Sequence, residues 1–154
     1  MKIRNSSKAV IIQDDKLLVI KNEDTDGYFF VLPGGGQEHD ENLHETLKRE
    51  CIEEIGEEIE IKELIFIREY IGKNHEYSAS DFRVHKTEFM FSCSLRERKK
   101  NVTSGAAPDD GQIGVEWLSL SELLQHRLYP QKIRKYLMDY FKGKTPPTYL
   151  GDIN

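Results

Sequence analysis

The chain has 154 residues, 38% of them hydrophobic and 32% charged, the make-up of one soluble globular domain. No apolar run approaches the ~18 residues of a membrane-spanning helix, and a net charge of −5 excludes a general nucleic-acid or membrane-surface binder. The first residues, M-K-I-R-N-S-S-K, lack the apolar core of a signal peptide, and Cys51 and Cys93 have no paired spacing. Reduced, structural thiols in a cytoplasmic protein are therefore expected.

Residues 8–12 and 16–20 are apolar runs around Gln13-Asp14-Asp15, a hairpin signal without the usual turn glycine. A polar loop, N-E-D-T-D-G, leads to an aromatic strand over 28–32, stopped by Pro33 and Gly34-Gly35-Gly36. A helix follows. Asn42 and Glu45 make a capping box, with Asp40 as the alternative cap, and Leu43, Leu47, Cys51 and Ile55 line its apolar face.

Residues 59–71 and 83–95 read as two long strands paired as a hairpin, the first bent near Glu63, with a polar irregular stretch between them. A charged and then small-residue loop fills 96–110, and 113–118 is a further strand. Ser119 or Ser121 caps a short helix through Leu124. Pro130 opens a last helix that Gly143 ends, with a stripe of Ile133, Tyr136, Leu137, Tyr140 and Phe141. Residues 1–143 are expected as a single domain and 144–154 as an extended C-terminal tail. The order of elements predicts an α+β fold, helices packed on a mixed sheet.

The first helix carries an unusual charge load. From Gln37 to Glu58 there are nine acids and two bases. Glu50, Glu53 and Glu54 stand at i, i+3 and i+4, where like charges cost roughly 0.2–0.5 kcal/mol per pair. Glutamates in the last turn also oppose the helix dipole, by roughly 0.3–1 kcal/mol each. A hard divalent cation relieves such crowding, and Mg²⁺ favours a few carboxylates together with waters and substrate phosphates. A solvated acidic face is the alternative from composition alone.

The spacing adds to this. Gly35, five residues, Glu41, seven residues, then R-E-C-I-E-E-I-G-E from Arg49 to Glu57 resembles the Nudix box, G-x5-E-x7-R-E-U-x-E-E-x-G-U, with U a bulky apolar residue. Every charged and glycine position is filled. Cys51 and Glu57 depart from the pattern at two apolar positions and leave its chemistry untouched. The resemblance implies a Nudix-like α/β/α sandwich with the box helix beside a glycine-rich loop.

It also implies roles. Glu53 and Glu54 match a metal-ligating pair, Glu50 a third ligand with a part in base chemistry, and the Gly35 carbonyl a further metal contact. Arg49 matches an arginine that orients the glutamates, and Glu41 the acid at the helix start. The general base of the family often lies on a loop outside the box. Asp109-Asp110-Gly111-Gln112, before Trp117, resembles such a loop, with Asp110 the first choice, Asp109 the second and Glu116 the third. The same Asp-Asp-Gly is also an ordinary turn signal.

On the substrate side, Gly34 and Gly36 allow close backbone approach to phosphate. Tyr28 is a candidate to stack a nucleobase, and Arg4 and Arg68 to reach phosphate or ribose, with Lys8 and Arg83 behind them. His39 and His44 are read as surface residues and Trp117 as core. The implied activity is Mg²⁺-dependent (Mn²⁺ as substitute) pyrophosphohydrolysis of a nucleoside diphosphate linked to a group X. A nucleoside triphosphate, including oxidised forms, is the first substrate class; ADP-ribose or a nucleotide sugar is the alternative. A catalytically silent nucleotide sensor is the alternative of another class. The partner expected is a small-molecule nucleotide, and a homodimer is compatible with the chain.

Overall fold

Asp14 and Asp15 both take positive φ, 51° and 60°, so two aspartates make the turn that glycine usually makes. They join β1 (Arg4–Gln13) to β2 (Lys16–Asp24) in the computed structural model, which describes residues 1–154. β3 (Gly27–Val31) returns antiparallel to β2, and β4 (Gly34–Gly36) crosses back to pair with β1. Helix α1 spans Leu43–Ile55. β5 (Ile59–Ile71) and β6 (His85–Leu95) form the long antiparallel hairpin, with register shifts between Ile61 and Phe66 where the bend near Glu63 was expected. The link between them holds a 3-10 turn and the short helix α2 (Ser78–Asp81).

β7 (Gln112–Ser119) lies against β2, β8 (Leu128–Tyr129) parallel to β3, and α3 covers Ile133–Phe141. The strands form one mixed, curled sheet, β8-β3-β2-β1-β6-β5-β9, with β4 and β7 on side branches. Alternation of side chains sorts the core into two layers. Ala9, Ile11, Leu18, Ile20, Phe91 and Cys93 meet Leu47, Cys51 and Ile55 of α1 on one face. Val10, Leu17, Val19, Phe66 and Met90 meet Ile133 and Leu137 of α3 on the other. This is the helix–sheet–helix sandwich that the resemblance implies.

Three expectations change. Residues 144–154 do not hang free: Tyr149–Asp152 forms β9, parallel to β5, with Leu150 and Ile153 buried. The β5 edge offers unpaired main chain, and the Ile67 N–H donates to the Thr148 carbonyl at 2.8 Å while Ile153 N–H reaches Glu69 at 3.1 Å. Neither Ser119 nor Ser121 caps the next helix; their hydroxyls bond each other at 3.0 Å, and the segment Leu120–Gln125 is 3-10. α3 begins at Ile133, three residues after Pro130.

Candidate active site

The N-terminus of α1 is set by Asn42, whose side chain accepts the Glu45 N–H at 2.9 Å. The Asn42 amide donates to Glu45 Oε1 at 2.8 Å, so Asn42 is the cap and Asp40 is not. Gly56, at φ 66°, ends the helix with its N–H on Ile52. With both ends fixed, the polar side of α1 lies against β4 and the glycine loop.

The glycines there answer to space as well as to conformation. Gly34 has φ 131°, and a Cβ on it would fall 2.0 Å from the Ser7 carbonyl oxygen. A Cβ on Gly35 would sit 2.5 Å from the Glu50 carboxyl group. The Gly34 N–H donates to Glu54 Oε1 at 2.7 Å, and the Gly34 carbonyl accepts from Lys8 Nζ at 3.1 Å. The loop is therefore packed directly on the box carboxylates.

Arg49 organises the helix side. Its Nη2 and Nε donate to the two oxygens of Glu41 at 2.7 and 3.2 Å, a bidentate fork. Nη1 donates to Glu50 at 3.0 Å and to Glu53 at 3.4 Å, and Nη2 reaches the Gly36 carbonyl at 3.1 Å. Glu41 also accepts from Thr46 Oγ1 and the Glu38 N–H. The Arg49 guanidinium, with the Glu38 N–H, holds the Glu41 carboxyl down at about 2.

Two other carboxyls move the opposite way. Burial pushes Glu54 up to about 8, against the pull of Lys8 and the Gly34 N–H, with Asp109 and Glu50 adding repulsion. Burial also raises Glu50, although Arg49 opposes it. Glu50, Glu54 and Asp109 bring carboxylate oxygens within 4.8 Å of one another. The late loop thus joins the site through Asp109, where the sequence put Asp110 first. The Gln112 N–H bonds the Asp109 carbonyl at 3.0 Å, closing a turn with Gly111 at φ 86°. That turn brings Asp109 to the glutamates, and Asp110 is not in the group.

Glu53 lies outside this trio, 38% exposed and turned to Arg49. Arg4 lies over the glycine loop, its Nη2 3.3 Å from where a Gly36 Cβ would be. Arg68 is buried, with Nε on Glu88 at 3.1 Å and Nη1 on the Ile153 carbonyl at 2.6 Å, so it ties the C-terminus to the sheet. Tyr28 shares the side of β3 that carries Phe30, opposite to Val31 and α1, and stacks under Lys21 Nζ at 4.0 Å. Neither Arg68 nor Tyr28 is brought to the acid cluster. Glu116 pairs with Lys21 at 2.8 Å.

A profile described as NUDIX domain matches residues 3–140. The chain belongs to the Nudix pyrophosphohydrolase family. A Nudix hydrolase from Nitrosomonas europaea has a similar fold at 23% identity and TM-score 0.70, covering 95% of this chain and 93% of that one. An ADP-ribose pyrophosphatase from Streptococcus suis gives 20% identity, TM-score 0.63 and 98% of both chains. A MutT Nudix hydrolase from Burkholderia pseudomallei gives 20%, 0.64, 87% of this chain and 96% of that one. No curated protein matches the sequence.

Nudix hydrolases use divalent metals, and the donors here suit one. Three clustered carboxylates are a hard oxygen set, and burial, with their mutual repulsion adding to it, raises Glu50 and Glu54 above the usual carboxylate range. The Ser7 hydroxyl, fully buried and paired in register with Gly35, has no partner. Two contributors to the site were not singled out in the sequence, Gly105 and Gln112. Their roles arise from contacts with α1 that no local spacing signals.

Proposed function

We propose that this Nudix enzyme is a Mg²⁺-dependent pyrophosphohydrolase, with Mn²⁺ as a substitute, acting on a nucleoside diphosphate linked to X. The first substrate class is a nucleoside triphosphate, oxidised forms included, cleaved to the monophosphate and pyrophosphate. The observation that carries this reading is the carboxylate trio of buried Glu50 and Glu54, packed against the glycine loop, and exposed Asp109, which closes over them.

In this reading Glu50, Glu54 and Asp109 hold the ion with the Gly35 carbonyl, and Glu53, exposed on the same helical turn, completes the set. A bound divalent ion neutralises phosphate charge and lowers the pKa of a coordinated water. Asp109 or Glu50 accepts the proton of the attacking water on a carboxylate oxygen. The water oxygen bonds to phosphorus, the bridging P–O bond breaks, and pyrophosphate departs with the electron pair. Arg4 and Lys8 provide positive charge beside the glycine loop for the phosphates. Arg49 holds Glu41 and Glu50 in place and touches no substrate. Retention of all the box acids disfavours a silent sensor.

The test is hydrolysis with Mg²⁺ across nucleoside triphosphates, their oxidised forms, ADP-ribose, nucleotide sugars and capped RNA. Turnover highest on a triphosphate, releasing pyrophosphate, supports the proposal. Turnover confined to ADP-ribose or a nucleotide sugar replaces its substrate class, and no turnover on any favours the sensor.

A further inference from the structure

The last turn of a helix leaves carbonyls without partners. In α1 those of Glu53 and Glu54 are taken by the late loop. The Gly105 N–H donates to Glu54 at 2.9 Å and the Ala107 N–H to Glu53 at 3.1 Å. Gln112 Nε2 donates to the Glu54 carbonyl at 2.9 Å and to Ser104 Oγ at 3.2 Å. The glycine cap at Gly56 takes only the Ile52 carbonyl, so the loop donors complete the helix end and in doing so tie the loop to it.

Gly105 is held there by space. A Cβ would lie 2.4 Å from the Glu53 carbonyl oxygen, 2.6 Å from that of Ile52 and 2.8 Å from Gly56 N. Its φ is outside the left-handed region, so closeness alone requires glycine. Gln112 has a second signature. Its Oε1 is buried with no partner, a cost to the fold set against the donation from Nε2. The upstream part of the loop is anchored too, by Trp117 Nε1 on the Lys100 carbonyl at 2.8 Å and by the buried Val102. Between these anchors and β7 the loop carries Asp109 to within 4.8 Å of the Glu50 and Glu54 carboxylates.

We infer that Gly105 and Gln112 are positioning residues, a latch that docks the acidic loop on the main chain of the residues whose side chains face the metal. The inference rests on the reading of Glu50, Glu54 and Asp109 as metal ligands. The latch sets Asp109 beside Glu54 before any ligand arrives, so the third carboxylate is part of the resting site and not delivered by substrate.

The experiment uses the full chain, Mn²⁺ titration followed by electron paramagnetic resonance, and hydrogen exchange of the metal-free protein. Gly105→Ala and Gln112→Met should each weaken Mn²⁺ binding by about 10–100-fold, the range for groups that orient metal ligands, and Asp109→Asn should weaken it too. Gln112→Met removes the unpaired acceptor with the donor, so its metal-free melting temperature should stay level or rise while metal affinity falls. A merely structural glutamine would not split the two. Gly114→Ala, in open space, should match the parent in both. In the metal-free parent the Gly105 and Ala107 amides should be protected. If those amides exchange at free-loop rates, or Gln112→Met and any folded Gly105→Ala bind Mn²⁺ like the parent while Asp109→Asn does not, the latch is overturned and the ligand reading stands. Parental Mn²⁺ binding by Asp109→Asn removes the ligand reading and the latch together.

Discussion

Helix α1 and the 104–112 loop meet at the same carboxylates, yet they are held by different forces. Most of the box acids are pinned by a side chain: Arg49 spans Glu41, Glu50 and Glu53, while Glu54 accepts the Gly34 N–H and Lys8 offsets its charge through space. Asp109 is placed by main chain, through N–H groups of Gly105 and Ala107 on α1 carbonyls and a turn closed by Gln112. A guanidinium fork resists ionic disturbance at one end of the site, and steric fit does so at the other. The first should fail when charge or donor geometry changes, the second when volume changes.

Glu54→Gln should have the largest effect. It removes the most buried box carboxylate, and turnover should drop by at least roughly 10²–10³, the scale for one preorganised electrostatic group. Its metal-free melting temperature should stay level where Glu54 is protonated and rise above about pH 8, because an amide in that place cannot ionise. Glu53→Gln should also lower turnover but leave metal-free stability unchanged, since Glu53 is exposed. Steady-state kinetics and calorimetry on the pair separate buried from exposed acid. Equal stability changes in both would break the contrast.

On the loop side, Asp109→Asn should lower kcat by roughly 10²–10⁴ if it takes the proton, with KM little changed. Asp110→Asn should stay within about threefold, less than 1 kcal/mol. The reverse order would place the loop differently from the structure.

Arg49→Lys should not be conservative, because an ammonium cannot make the two-pronged bond to Glu41. Metal affinity and kcat should both fall, and parental values for both would reduce Arg49 to a surface charge.

The smallest effect concerns pH. An ordinary glutamate titrates at 4.5 and Glu54 in the fold at about 8. Between those values the metal-free folded chain holds a proton that the unfolded chain has released. Glu54's contribution to stability is therefore full below about 4.5 and is lost as pH rises through 8. Metal competes for the same deprotonated group, so the rise in melting temperature on adding Mg²⁺ should be larger at pH 8 than at pH 6. A rise independent of pH would separate Glu54 from the metal.

The same contrast explains what was legible in the chain. From Gly35 to Glu57 the determinants are local: helical spacing sets the face of each glutamate, Asn42 and Gly56 set the ends, and the glycines lie beside them in sequence. The two long strands and the two-layer core follow from alternation in the same way. The choice between Asp109 and Asp110 depends on a loop docked against carbonyls about fifty residues earlier, and no pattern within D-D-G-Q carries it. β9 is short and lacks alternation, and it exists because the β5 edge and Arg68 offer it bonds. Arg68 itself looked available for phosphate, but Glu88 and the Ile153 carbonyl already occupy its guanidinium.

The most direct test of the central claim is a crystal soaked in Mn²⁺ and measured for anomalous scattering at the manganese edge. The account predicts a peak about 2.0–2.4 Å from carboxylate oxygens of Glu50, Glu54 or both, with Asp109 or its bound water completing the shell. A peak at other acids such as Glu57 and Glu58, with none between Glu54 and Asp109, would contradict it.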